Sequence, residues 1–119
     1  MNQSEPNPEV HLSVIPGNRA GVEILKVSGP LTIRNFFEFQ QTAREKTTNV
    51  LIVDFTDVPY IDSAALGSLV GIHVSCDRSG RKYAVVGING RVQTVLEVSH
   101  VNEVLITYPT VADAEAALA

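Results

Sequence analysis

The sequence predicts an α/β domain with a mixed sheet of four to five strands, an opening β-hairpin and about four helices. Three observations carry this. Residues 10–16 and 22–28 alternate apolar and polar positions on either side of a glycine- and asparagine-containing turn, the pattern of two half-buried strands in a hairpin. Residues 50–55 (VLIVDF) form a continuous apolar run with an acid near its end, which suits a strand covered on both faces. Beyond residue 30 helix-period and strand-period segments take turns to the end of the chain, which argues for later strands that are parallel and joined by helical crossovers.

Residues 1–9 are polar with two prolines and read as a flexible lead-in to one domain, residues 10–119. After the hairpin, Gly29-Pro30 breaks the strand period. Thr32 can then cap a helix carrying Phe36, Phe37, Phe39, Gln40 and Ala43, which ends near Lys46. The phenylalanine cluster reads as core, with room for one ring to be exposed. The buried strand 50–55 and a loop lead into a second helix starting at Ser63. Its Leu66, Leu69, Val70, His73 and Val74 recur at three- and four-residue steps. Gly80 can supply the left-handed stop after Arg78-Ser79. A short strand at 82–86 follows, then a turn at Asn89-Gly90. A third helix spans about 91–99 with Val92, Val95 and Leu96 inward, and a last strand is expected at 104–107. Thr110 and Asp113 form a capping pair for an alanine-rich terminal helix.

The chain has 119 residues, 45% hydrophobic and 18% charged, which suits one ordinary core. A net charge of −4 gives no electrostatic reason to bind nucleic acid or an acidic membrane surface. Arg78, Arg81 and Lys82 are the only basic cluster and read as a solvated loop. The single Cys76 has no disulfide partner and no ligand cluster around it, so it reads as a small buried hydrophobe. No apolar run approaches the ~20 residues of a membrane span, and no signal segment opens the sequence. The expected compartment is the cytoplasm.

The segment that carries chemistry is residues 53–71, VDFTDVPYIDSAALGSLVG. A buried strand ends near Asp54, and a loop follows. A helix then starts at Asp62-Ser63 and is lined by Ala64, Ala65, Gly67, Ser68 and Gly71. It resembles the signature of STAS domains, found in anti-sigma factor antagonists and at the ends of some anion transporters. There a strand and loop lead to Asp-Ser-(Ser/Thr)-Gly-Leu-Gly at a helix start. This chain has Asp62-Ser63-Ala64-Ala65-Leu66-Gly67. The likeness extends over nearly the whole chain. Residues 28–31 stand where the family has a Gly-x-Leu-Asp turn, residues 92–104 match its valine- and leucine-bearing stretch, and residues 110–117 resemble its capped closing helix. Three positions depart from the pattern. Ala64 replaces the second hydroxyl residue, Ala65 a glycine, and Thr32 the acid of the early turn.

The resemblance implies the STAS fold; a small α/β enzyme has little support, since no nucleophile–base pair, paired carboxylates or metal cluster emerges from the residues, and no cofactor is expected. It implies an anti-sigma factor antagonist that binds a serine-kinase-type anti-sigma factor when unphosphorylated and so releases a sigma factor. Phosphorylation at Ser63 would inactivate it, and a serine phosphatase would restore it. Asp62, Ser63, Ala64, Ala65, Leu66, Gly67 and Thr32 are the expected partner-contacting residues. The extra methyl of Ala65 bears on how closely a partner approaches. Monomer and weak homodimer both remain open. The alternative is a STAS scaffold subunit without the switch, in a stress-signalling or lipid- or anion-transport assembly.

Simpler roles stand beside these. Ser63 can serve only as a helix N-cap, and Asp62 as a cap or loop acid. Gly67 and Gly71, one turn apart, can mark close packing against either the protein's own sheet or a partner helix. His11, His73 and His100 are scattered, which speaks against a metal site. Ser63 and His73 lie ~15 Å apart along one helix at 1.5 Å per residue, too far for a catalytic pair with Asp54.

Overall fold

The computed structural model describes residues 10–45 and 48–119. Five strands form one sheet in the order β1-β2-β3-β4-β5. Strands β1 (His11–Pro16) and β2 (Val22–Ser28) make the expected antiparallel hairpin. Strands β3 (Val50–Asp57), β4 (Lys82–Val86) and β5 (Thr107–Tyr108) then add in parallel. Between them run α1 (Phe36–Glu45), α2 (Ser63–Arg78) and α3 (Gly90–Val98), with α4 (Val111–Leu118) after β5. The expectations for residues 1–9 and for a helix end at Lys46 lie outside the described residues.

The alternation of side chains along the strands divides the core into two layers. Leu25, Val27, Leu51, Val53, Phe55, Tyr83 and Val85 face α1, α2 and α3. Val22, Ile24, Val50, Ile52 and Val86 face the other way and meet Ala114 of α4. Strand β3 is apolar from Val50 to Val53 and again at Phe55 because this stretch is covered on both sides. Phe39 of α1 packs on Phe55 with ring centroids 6.0 Å apart and planes tilted by 52°. Phe37 is the exposed ring of the phenylalanine trio.

Helix α4 is fastened by a buried acid. Glu115 accepts hydrogen bonds from the backbone N–H groups of Asn18 (3.2 Å) and Arg19 (3.1 Å) in the hairpin turn. Its carboxylate thereby takes two donors that the turn leaves free, the condition for burying a charged group at low cost.

Three sequence expectations are corrected. Thr32 does not cap a helix at its own position. Its Oγ1 accepts from the Arg34 N–H (3.2 Å), a turn precedes the helix, and α1 begins at Phe36. The inward stripe of α2 is Ala65, Ser68, Leu69, Ile72 and Cys76, while Leu66, Val70 and His73 are half-buried and Val74 is exposed. The last strand is two residues, Thr107–Tyr108, preceded by a short 3-10 turn at Val101–Glu103. Helix α2 ends as expected, with Gly80 at φ +73° and the Arg81 N–H reaching back to the Cys76 carbonyl at 2.8 Å.

Candidate functional site

The chain segments leaving β2 and β3 run on side by side beyond the sheet. Leu31 and Ile61 form an isolated parallel bridge. The Leu31 N–H donates to the Tyr60 carbonyl at 3.2 Å, and the Asp62 N–H donates to the Leu31 carbonyl at 3.3 Å. This pairing brings the β2–α1 turn to the start of α2.

Asp62 joins the two segments. It is extended (φ −111°, ψ −174°), as an N-cap requires. Its Oδ1 accepts from the Ala65 N–H at 3.0 Å, capping α2. Its Oδ2 accepts from the Ile33 N–H at 2.8 Å, across 29 positions of sequence. Both oxygens are thereby engaged, and the carboxylate meets the positive end of a helix.

Because Asp62 is the cap, Ser63 is not. Ser63 is the first helical residue and is exposed. Its hydroxyl makes no hydrogen bond among the described residues, so the N-cap reading of Ser63 is set aside. Ala64 is half-buried, and Gly67 is exposed. Ala65 is fully buried in the core, so its methyl points away from any surface partner. Leu66 is half-buried against the same core. A Cβ built on Gly67 or Gly71 would meet nothing within 4 Å. These glycines therefore lie on an open face of α2 and not against the sheet. From Ser63 to Cys76 that helix carries no aspartate, glutamate, lysine or arginine.

Residues that the sequence reading did not single out hold the surroundings. Asn35 is buried and closes the β2–α1 turn. Its Oδ1 accepts from the Thr32 N–H at 2.9 Å, and its Nδ2 donates to the Pro30 carbonyl at 3.1 Å. The signal for it was the Thr32–Asn35 spacing, a three-residue step between two side chains that bond their own backbone. Asn89 caps α3 through the Val92 N–H at 2.8 Å and also donates to the Pro59 carbonyl at 3.1 Å. The Arg91 guanidinium lies 4.9 Å from the centre of the Tyr60 ring. The loop ahead of Ser63 is thus held from both flanks.

No catalytic grouping assembles around Ser63 among the described residues. Asp54 spends its Oδ1 on Thr56, accepting from its N–H at 2.9 Å and its hydroxyl at 2.6 Å. The His73 ring lies beside Tyr83, 6.5 Å between centroids. No group of three or more His, Cys, Asp or Glu side chains could hold a metal there. Burial pushes the Cys76 thiol above its ordinary range, partly offset by the Arg81 charge, and burial likewise raises the Tyr83 phenol. Cys76 is a buried hydrophobe, as expected. The basic cluster is more than a solvated loop, since Arg81 Nε donates to the Thr48 carbonyl at 2.6 Å and Lys82 Nζ to the Leu118 carbonyl at 3.2 Å. No helix among the described residues is long and apolar enough to cross a membrane.

The three-layer α/β domain thus presents the unengaged Ser63 hydroxyl at the start of α2, beside an open helix face without charged side chains. The chain belongs to the STAS domain family, whose profile matches residues 16–114. A Thermotoga maritima protein named as a candidate anti-sigma factor antagonist is 31% identical over 97 residues, covering 78% of this chain and 86% of that protein. A crystal structure of a candidate anti-sigma factor antagonist from Thermotoga maritima superposes with a TM-score of 0.79 at 27% identity, covering 90% of this chain and 93% of the other. The fold of an anti-sigma factor antagonist from Mycobacterium paratuberculosis gives a TM-score of 0.81 at 19% identity over 98% of both chains. The expected mixed STAS sheet of four to five strands with about four helices is therefore observed, with five strands and four α-helices among the described residues.

Proposed function

We propose that this chain is an anti-sigma factor antagonist that docks on a serine-kinase-type anti-sigma factor through the start of α2, and that the kinase phosphorylates Ser63. One observation carries the reading. Asp62 does the capping with both oxygens, which leaves the Ser63 hydroxyl exposed and without a structural duty. Modifying it costs the fold little. The relatives named for this function support the partner class.

The switch follows from charge. A phosphate on Ser63 adds about −1.5 to −2 charges beside Asp62. The N–H groups of Ser63 and Ala64, at the helix start, can hold it without unwinding α2. A partner seated over Ser63 in its hydroxyl form meets a bulky dianion instead. A loss of ~1–3 kcal/mol of complementarity weakens binding roughly 5- to 150-fold. In the kinase step the Ser63 oxygen bonds to the γ-phosphorus of ATP, the bond to ADP breaks, and the hydroxyl proton passes to a base of the kinase. Hydrolysis by a serine phosphatase returns the hydroxyl and inorganic phosphate. The partner surface comprises Asp62, Ser63, Ala64, Gly67 and the exposed edge of Leu66, with Thr32 shaping the adjoining turn. Ala65 acts from below, through the core. An ATP-dependent kinase partner places this exchange in the cytoplasm.

Incubation with the kinase-type anti-sigma factor and ATP, followed by peptide mass spectrometry, tests the site. One phosphate on Ser63, absent from Ser63→Ala, is the expected result. Phosphate on another residue, or none, removes the switch and leaves the scaffold reading.

A further inference from the structure

We infer that Ile33 and Phe37 form the apolar anchor by which this same partner holds the chain, separate from Ser63, which switches the contact; this rests on the docking function proposed above. Ile33 is 65% exposed and Phe37 62%. Two large apolar side chains left in water at one place are a contact surface in waiting.

They lie four positions apart, Ile33 on the turn before α1 and Phe37 in its first turn, and the two together make the ridge we infer. The Thr32 carbonyl accepts from the Asn35 N–H at 3.0 Å and from the Phe36 N–H at 2.8 Å, one turn that leads into α1.

The ridge is fixed with respect to Ser63. The Ile33 N–H is held at 2.8 Å by Oδ2 of Asp62, the residue next to Ser63. The Asn35 side chain closes the turn beneath it. Such a ridge binds without first being ordered, which favours its use as an anchor.

The neighbouring surface states what the occupant is like. Helix α2 carries no formal charge from Ser63 to Cys76, and its Gly67 and Gly71 face open space. A charged group pressed against this face would be desolvated without a partner. The part of the kinase-type anti-sigma factor that lies on Ile33, Phe37 and the open face of α2 is therefore apolar, with polar groups only at its edge, where exposed Arg34 and half-buried Asp62 stand. Phe37, as an aromatic, is the stronger of the two anchors. Val98 is 76% exposed but lies at the far end of α3 from Asn89, the residue that touches the loop ahead of Ser63. It belongs to no surface continuous with the switch.

The test measures the affinity of the full chain for the purified kinase-type anti-sigma factor of the same organism. Wild type is compared with Phe37→Ser, Ile33→Ser and Val98→Ser, each alone and combined with Ser63→Asp. Thermal melts verify that each variant is folded. The expected result is at least a tenfold loss for Phe37→Ser and about tenfold for Ile33→Ser, expressed as faster dissociation. Val98→Ser stays within twofold, and the Ser63→Asp loss multiplies with that of Phe37→Ser. If Phe37→Ser and Ile33→Ser stay within twofold while Ser63→Asp weakens binding, the anchor is overturned and the switch stands. If Val98→Ser costs as much as Phe37→Ser, the ridge has no special place and the inference is likewise overturned. Wild-type protein that does not bind at all overturns both.

Discussion

Asp62 makes two hydrogen bonds to two different segments, and the two can be removed separately. In Asp62→Ala both are lost. The Oδ1 cap of the Ala65 N–H at 3.0 Å is worth about 1 kcal/mol by the usual cost of deleting an N-cap. The Oδ2 bond to the Ile33 N–H at 2.8 Å is charge-assisted but lies at the surface, so about 1 kcal/mol is a fair discounted value. The sum, about 2 kcal/mol, corresponds to roughly 8 °C in melting temperature for a domain of this size at about 0.25 kcal/mol per kelvin of unfolding entropy. Asp62→Asn differs in kind. Asparagine is as good an N-cap, but it offers one carbonyl oxygen and an amide nitrogen that cannot accept. It keeps the Ala65 bond, loses the Ile33 bond, and should cost only about 1 kcal/mol. Urea unfolding followed by circular dichroism gives both values. Amide hydrogen exchange gives the location: the Ile33 amide should lose protection in both variants, the Ala65 amide only in Asp62→Ala. Equal destabilisation by the two substitutions, or an Ile33 amide equally protected in all three proteins, would refute the clamp.

Other outcomes follow from the same contacts. Glu115→Ala leaves the Asn18 and Arg19 N–H groups without their acceptor and loosens α4 from the hairpin; a loss of about 2–3 kcal/mol in urea unfolding is expected, and an unchanged midpoint contradicts it. Gly87 adopts φ +73°, and a Cβ there would press on the Thr56 side chain and backbone; Gly87→Ala should cost at least 1–2 kcal/mol by thermal melt, whereas at exposed Gly67, with nothing nearby, alanine should be neutral or slightly stabilising. Burial raises the Cys76 thiol and the Tyr83 phenol in the folded state. Their contribution to stability is full below the unfolded-state values and falls as pH rises beyond about 9, because the unfolded chain then releases protons more readily. A unfolding free energy that is flat from pH 8 to pH 11 would oppose this.

The architecture was readable wherever one local signal dominated. The alternation at residues 10–16 and 22–28, the apolar run of β3 and the Thr110–Asp113 cap each survive in the structure. The inward stripe of α2 was not readable, because Leu66, Leu69, Val70, Ile72 and Val74 supply apolar side chains around much of the helix. Packing against β3 and β4, not periodicity, selects which of them is buried. The last strand shifted for a related reason. Residues 104–107 have strand composition, but the 3-10 turn at Val101–Glu103 re-aims the chain, so that Leu105 enters the core, the Ile106 carbonyl accepts from the Val85 N–H at 3.0 Å, and the strand itself is Thr107 and Tyr108. At the site, the order Asp62-Ser63 ahead of a helix was visible. The division of labour was not, because it depends on the Ile33 N–H arriving from 29 positions away. Once that donor takes one carboxylate oxygen and Ala65 the other, the serine is left free.

The most direct measurement compares unmodified protein with protein carrying phosphoserine at position 63, incorporated during synthesis, for binding to the kinase-type anti-sigma factor by titration calorimetry. The account predicts tight binding of the hydroxyl form and at least a fivefold weaker complex with the phosphorylated form, with both forms melting within a few degrees of each other. Equal affinities, or a phosphorylated domain that no longer folds, would contradict it.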